Sequence, residues 1–329
     1  MENNRWKRRK IALVLGSGAA RGLAHIGVLK VLEEKKMPIS LVAGTSMGAL
    51  IAGAYAAGLS AKQMEEIACE TNWLRVAKLF FPRRLQREGL LDGRRIEEFL
   101  IALIGEQKIE ELNVPFAAVA ADIWTGEEIV LKSGSLVKAI RASISFPFVF
   151  APVQIDGRFL VDGGVVNPVP VNVAKDMGAD FVIAVRSTPA SDRQIRQMNS
   201  GEIVTPKNTG AASNSTSFFK RFLNFLNIDI EADTKNHQGE PSLIVKPGLR
   251  YHAIQAANIM ENMILSLRLQ DSPPDILISP DIDAYQFMDF TRSREIIEAG
   301  EEAARLALEE NPEIPKLKRE INESIKEGY

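Results

Sequence analysis

Ser46 lies in Gly44-Thr45-Ser46-Met47-Gly48. An apolar run of strand length, Ile39-Ser40-Leu41-Val42-Ala43, precedes it, and a small-residue, helix-compatible run over residues 49–57 follows, stopping at Gly58. Gly44 and Gly48, flanking a serine in a strand-to-helix turn, let the backbone reverse sharply and lift the hydroxyl to the start of a helix. The partial positive charge there favours an anion, so an oxyanion forming beside Ser46 would be stabilised. The chemistry of such a serine is nucleophilic attack. A glycine/serine helix cap with no chemistry would look the same from these five residues alone.

A second glycine turn, Gly16-Ser17-Gly18-Ala19-Ala20-Arg21-Gly22, follows the apolar run 11–15. Its spacing departs from a dinucleotide-binding fingerprint, and the second strand ends in Ala43-Gly44-Thr45-Ser46 with no acid to hold a ribose. The alternative is an oxyanion hole. Successive amides of a glycine loop, backed by a helix start, can converge on one atom.

A serine nucleophile needs a base. The chain has three histidines, His25, His237 and His252. None follows a strand in the Ser…Asp…His order of an α/β-hydrolase. Asp162 does follow a strand, and Gly163-Gly164 lets the chain turn so that a short carboxylate reaches across. Alone, Asp-Gly-Gly is also an ordinary turn.

The elements that must carry these residues read as strands and helices in alternation. Residues 11–15 form a strand, 24–35 a helix, and the second strand leads to Ser46 and its helix. That βαβα opening with short connections predicts a parallel sheet covered by helices. Strands one and two can then be neighbours, with both glycine turns at one edge. Further on, the pattern predicts a helix at 96–104, a hairpin across Trp124-Thr125-Gly126 and a helix at 136–142. A second hairpin is expected across Asp156-Gly157, then a helix at 168–177 and a strand at 181–185. A long helix at 253–269, a last strand at 275–279 and a helix at 291–310 complete the reading.

The boundaries expected from composition are a basic tail at 1–10, a catalytic core at 11–186 and a polar insert at 187–250. C-terminal helices and a last strand at 251–310 complete the core, and a charged end occupies 311–329. Within the insert, Phe218, Phe219, Phe222, Leu223, Phe225 and Leu226 fall at helical spacing beside Lys220 and Arg221. That segment suits a lid or membrane-interface helix, docking on the core, or a homodimer contact. Residues 73–95 hold seven basic and two acidic side chains interleaved with Trp73, Phe80 and Phe81, which suits either anionic lipid head groups or a solvated face.

The chain has 329 residues, 46% of them hydrophobic, enough for a sizeable core. Its net charge of −2 gives no reason to expect nucleic acid as a partner. One cysteine, Cys69, excludes a disulfide framework and indicates a reducing compartment, hence a cytoplasmic location, with contact at the inner membrane face. No metal-ligand spacing is present.

The three motifs in order, with His25-Ile26-Gly27-Val28-Leu29 and Ser143-Ile144-Ser145-Phe146-Pro147, resemble the bacterial branch of the patatin-like phospholipase family. The resemblance implies a three-layer α/β/α sandwich with a mostly parallel central sheet and a Ser–Asp dyad. Ser46 would be the nucleophile and Asp162 the base. Gly16, Gly18, Ala19, Arg21 and Gly22 would form the oxyanion loop, with no cofactor, histidine or calcium required. Plant members have glycines where this chain has Ser17 and Ala19. The implied reaction is hydrolysis of phospholipid, lysophospholipid or other acyl esters through an acyl-serine. A non-catalytic adaptor of the same fold, and an acyltransferase or thioesterase using the same acyl-enzyme, stand beside it.

Overall fold

The computed structural model describes residues 9–70, 93–147, 149–188, 229–233, 242–246, 249–312 and 314–315. The strands are β1 (Ile11–Leu15), β2 (Ile39–Thr45), β3 (Phe116–Asp122), β4 (Glu128–Leu131), β5 (Val153–Ile155), β6 (Arg158–Asp162), β7 (Phe181–Val185), β8 (Asp229–Asp233), β9 (Ser242–Lys246) and β10 (Ile276–Ile278). The α-helices are α1 (Ala24–Glu34), α2 (Met47–Ala56), α3 (Ala61–Glu70), α4 (Arg94–Ile104), α5 (Leu136–Ser143), α6 (Val171–Asp176), α7 (Leu249–Asp271) and α8 (Ser293–Glu310). Residues 73–92 and 218–226, and His237, which the sequence singled out, lie outside the described residues.

The main sheet runs β10-β7-β1-β2-β3-β6-β5, with β4 also paired to β3. The pairs from β10 to β3 are parallel, and those made by β4, β5 and β6 are antiparallel. β1, β2, β3 and β7 read as near-continuous apolar runs because helices cover both faces. Alternate residues sort by face. Leu13, Leu15, Val42 and Ile183 pack with α1, α2, α3, α4, α5 and α8. Ala12, Val14, Ala43 and Val182 pack with α6 and Leu265 of α7. The result is the α/β/α sandwich that the motifs implied.

Two details bear directly on the site. Leu15 pairs with Gly44 and with Val185, so the chain leaves β1, β2 and β7 at one edge. β4 pairs with residues 118–121 of β3, β2 with 116–119 and β6 with 120–122. β2 and β6 therefore share the edge of β3 opposite β4, end to end. β2 is parallel to β3 and β6 antiparallel, so their two C-termini meet head-on: Thr45 sits opposite Val119 and Asp162 opposite Ala120.

The insert is not featureless. β8 and β9 form a two-stranded antiparallel hairpin within it, which the sequence reading missed. Asp229-Ile230-Glu231-Ala232-Asp233 alternates with period two, but its acidic members disguise a strand.

α8 locks onto α1 through a reciprocal glycine contact. A Cβ on Gly27 would fall 2.0 Å from the Ile297 carbonyl oxygen, and one on Gly300 2.0 Å from that of Ala24. Gly300→Val should therefore push the helices apart and cost about 1–3 kcal/mol or more. Thermal unfolding would register this as a clear drop in Tm, and an unchanged Tm would show that the crossing is looser than described.

Candidate active site

β2 delivers Ser46 at its end, and α2 begins at the next residue. Ser46 has φ 56° and ψ −123°, a left-handed conformation that costs a non-glycine residue on the order of 1–3 kcal/mol and persists only where the surroundings impose it. Gly48 supplies part of that constraint. A Cβ there would lie 2.0 Å from the Leu15 carbonyl oxygen, so α2 is pressed onto the end of β1. Ser46 makes no side-chain cap for α2, which leaves its hydroxyl available.

The Ser46 hydroxyl donates to Asp162 Oδ2 at 2.5 Å. Asp162 Oδ1 accepts from its own turn, the Gly164 N–H, at 2.8 Å, so the carboxylate is held at one oxygen and aimed with the other. Gly163–Val165 forms a single 3₁₀ turn capped by this side chain. Asp162 is 2% exposed. Burial pushes its carboxyl up to about 7, against the lowering pull of the Ser46 and Gly164 hydrogen bonds. Ser46 itself is half-buried, so a substrate can reach it.

Ser143 closes the gap where the two strand ends meet. Its Oγ donates to the Val119 carbonyl at 2.6 Å and accepts from the Ser46 N–H at 2.9 Å. Val119 lies at the last β2 rung of β3, so Ser143 extends the sheet's bonding to the backbone of Ser46.

The loop after β1 stands beside this elbow. Gly16 N–H donates to Val185 O, Ser17 N–H to Pro168 O, Ala20 N–H to Phe287 O and Arg21 N–H to Gly18 O. Among the described residues no acceptor meets the amides of Gly18 and Ala19. Ala19 also has positive φ, 49°. Gly22 lets the loop touch the residue after Ser46, since a Cβ there would sit 2.5 Å from Met47 Cγ. Arg21 is buried among the charges of Glu261, Asp283 and Asp289, and burial pulls its guanidinium down from its ordinary value.

His25 lies under the same loop. The Gly16 carbonyl can only accept, so His25 Nε2 carries the proton of their 2.8 Å hydrogen bond. Complete burial takes its pKa down to about 4, and the ring is neutral at ordinary pH. It supports the loop rather than facing Ser46.

Sequence reasoning missed two site residues. Ser143 sits in the stretch 143–147 that the family resemblance singled out, but nothing in its type signals a bridge. Glu261 of α7 is 7% exposed and accepts a hydrogen bond from Ser17 Oγ. Its signal was periodic: Ala257 and Leu265, four residues to either side, are buried, so Glu261 occupies a core position of its helix. Among the described residues no group of three His, Cys, Asp or Glu side chains is placed to hold a metal ion. No helix among them is long and apolar enough to cross a membrane.

Together these features define an α/β/α protein with a serine at a strained strand-to-helix elbow, faced by a buried acid. Residues 13–175 match the family described as Patatin-like phospholipase, and through this domain the chain belongs to the patatin-like phospholipase family. An uncharacterized NTE family protein of Mycobacterium tuberculosis is 39% identical over 182 residues, 54% of this chain and 48% of its own length. Patatin-like phospholipase domain-containing protein 6 of Homo sapiens is 38% identical over 185 residues, 53% of this chain and 13% of its own. The chain thus spans about half the length of the mycobacterial relative and a small part of the human one. Among solved structures, VipD from Legionella pneumophila aligns over 97% of this chain and 77% of its own at 16% identity, with a TM-score of only 0.37.

Proposed function

We propose that the chain is a serine lipid acyl hydrolase that cleaves fatty-acyl esters of phospholipids or lysophospholipids through an acyl-Ser46 intermediate. The observation that carries this is the 2.5 Å hydrogen bond from the strained Ser46 to the buried Asp162 carboxylate. The patatin-like phospholipase match over residues 13–175 supports a lipid acyl ester as the substrate class.

Asp162 takes the Ser46 proton as Oγ attacks the ester carbonyl carbon. The carbonyl π electrons move to oxygen, and the amides of Gly18 and Ala19, with the positive end of α2, stabilise that oxyanion. The C–O bond to the alcohol breaks, and the departing alcohol takes the proton from Asp162. Water then attacks the acyl-Ser46 carbonyl, Asp162 accepts its proton, and collapse returns that proton to Ser46 as the fatty acid leaves. A carboxylate with an ordinary pKa near 3.9 would be a weak base for a hydroxyl, and burial strengthens it.

Labelling with a fluorophosphonate, followed by peptide mapping and profiling of products from defined phospholipid vesicles, tests the reading. The expected result is one adduct on Ser46 and release of free fatty acid. An adduct without acyl turnover would favour the adaptor reading. Acyl transfer to an added alcohol or amine in preference to water would favour the transferase. No adduct on Ser46 would overturn the site.

A further inference from the structure

α7 brings a second acid to the site. The Glu261 carboxylate accepts from Ser17 Oγ and also faces the Asp-Gly-Gly turn. A Cβ on Gly164 would lie 3.1 Å from Glu261 Oε1 and 3.3 Å from Asp162 Oδ1. Glu261 therefore stands between the glycine loop and the turn that aims Asp162. The helix carrying it is tied down further along, where Arg268 Nε donates to Val166 O at 3.1 Å and Arg268 Nη2 pairs with Glu128 at 2.9 Å.

Ser17 is held at several points. Ser17 N–H donates to Pro168 O, and the Ser17 carbonyl accepts from Ser187 Oγ at 2.7 Å. In a trans peptide the N–H points opposite the carbonyl, so fixing the Ser17 carbonyl also fixes the direction of the Gly18 N–H. The Ser17 side chain is the remaining handle on this residue, and Glu261 holds it.

We propose that Glu261 is a positioning residue: it grips the Ser17 hydroxyl and thereby keeps the Gly18 and Ala19 amides in place for the oxyanion formed at Ser46. This rests on the hydrolase reading above. Burial pushes the Glu261 carboxyl up to about 7 as well, against the lowering pull of the Ser17 hydrogen bond and Arg21, so it faces Asp162 as a negative charge once it ionises in that same range. The charged and titratable groups around the pair are Arg21 and Ser17 from the loop, Ser46 from the elbow, and Asp283 and Asp289 behind Arg21. Like charge favours the protonated form of its neighbour, so an ionised Glu261 makes Asp162 more basic.

Glu261→Gln and Glu261→Ala separate the two effects. Glutamine keeps an oxygen that can accept from Ser17 but removes the charge. Alanine removes both. The assay is hydrolysis of p-nitrophenyl butyrate, with inhibition by an alkyl trifluoromethyl ketone, which adds to a serine as a hemiketal oxyanion.

Glu261→Ala and Ser17→Ala should each lower kcat and trifluoromethyl ketone affinity by roughly 10- to 100-fold with little change in KM. The double variant should be no worse than Glu261→Ala alone, because Ser17→Ala removes a contact that Glu261→Ala has already removed. Glu261→Gln should keep ketone affinity and move the acid limb of kcat/KM to lower pH. If Glu261→Ala does not fold, Ser17→Ala and Glu261→Gln still decide. Wild-type kcat and ketone affinity in Ser17→Ala, or losses that multiply in the double variant, would overturn the proposal. Fluorophosphonate capture of wild-type Ser46 keeps the two readings apart. Capture with an indifferent Ser17→Ala sinks only the positioning role, whereas no capture sinks the hydrolase reading beneath it.

Discussion

Replacing Ser46 by alanine should reduce ester hydrolysis by on the order of 10³- to 10⁶-fold and leave the protein folded. In the proposed mechanism Oγ is the atom that attacks, so the rate should collapse when it is removed. The fold should survive for local reasons. Ser46 makes no side-chain cap for α2, so the helix loses no hydrogen bond when the hydroxyl goes. Its backbone N–H still donates to Ser143 Oγ, and Gly48 still seats α2 on the end of β1. Asp162 loses one of the bonds that held its carboxylate charged, and should become still harder to ionise. Hydrolysis assayed beside circular dichroism and thermal unfolding would check both halves. A folded Ser46→Ala protein turning over at more than a tenth of the wild-type rate would sink the proposed mechanism.

Asp162→Asn should cost roughly 10²- to 10⁴-fold in kcat/KM. The replacement is nearly isosteric, and the amide oxygen can still accept from Gly164 N–H. The NH₂ then faces Ser46 and donates where the carboxylate accepted. In the wild type the acid limb of kcat/KM should fall near pH 7, because Asp162 must be ionised to act and its pKa is about 7. Stability should respond with the opposite sense. Below the unfolded-state pKa both states hold the proton. As pH rises towards 7 the unfolded chain releases it and the folded chain does not, so the folded state loses stability throughout that window. The loss, on the order of a few kcal/mol, is complete above pH 7. Asp162→Asn removes it. The variant should therefore melt above the wild type at pH 8, with the difference shrinking towards pH 4. A wild-type rate, or a variant less stable than the wild type at pH 8, would contradict this account of the residue.

The opening of the chain was legible because its signals are local. Apolar runs of strand length, two glycine turns and short connections fit a parallel sheet. Gly48 and Gly22 appear in the motif, and their contacts with Leu15 and Met47 explain why a side chain would not fit. Asp162 was legible as a residue at the end of a strand, but not its route to Ser46. That route depends on β6 running antiparallel and abutting β2 on the same edge of β3, a relation between segments that no local pattern carries. Ser143 was hidden because a small polar residue near a helix end usually caps or turns, whereas here it bridges a sheet junction. Glu261 was hidden by its neighbours. Asn258 and Asn262 make that part of α7 read as a solvent face, and only the burial of Ala257 and Leu265 reveals the inward stripe. β8 was hidden by its acidic residues, and β9, the short run Ser242–Lys246, by the polar sequence around it.

The head-on meeting of β2 and β6 also affects how the site comes into being. Ser46 and Asp162 are 116 residues apart, and β3 is the shared template that brings their strand ends together. Contacts so distant in sequence carry a loop-closure cost and form late. The β1–α1–β2–α2 unit can build the elbow early, with Ser46 in place but lacking its base. Activation waits for β6 to dock on the far half of β3. Capture of Ser46 by a fluorophosphonate during refolding would then act as a clock for that docking step. It should lag behind the recovery of helical circular dichroism, and a change that slows β6, such as disrupting the Asp156-Gly157 turn between β5 and β6, should lengthen the lag without altering the early signal.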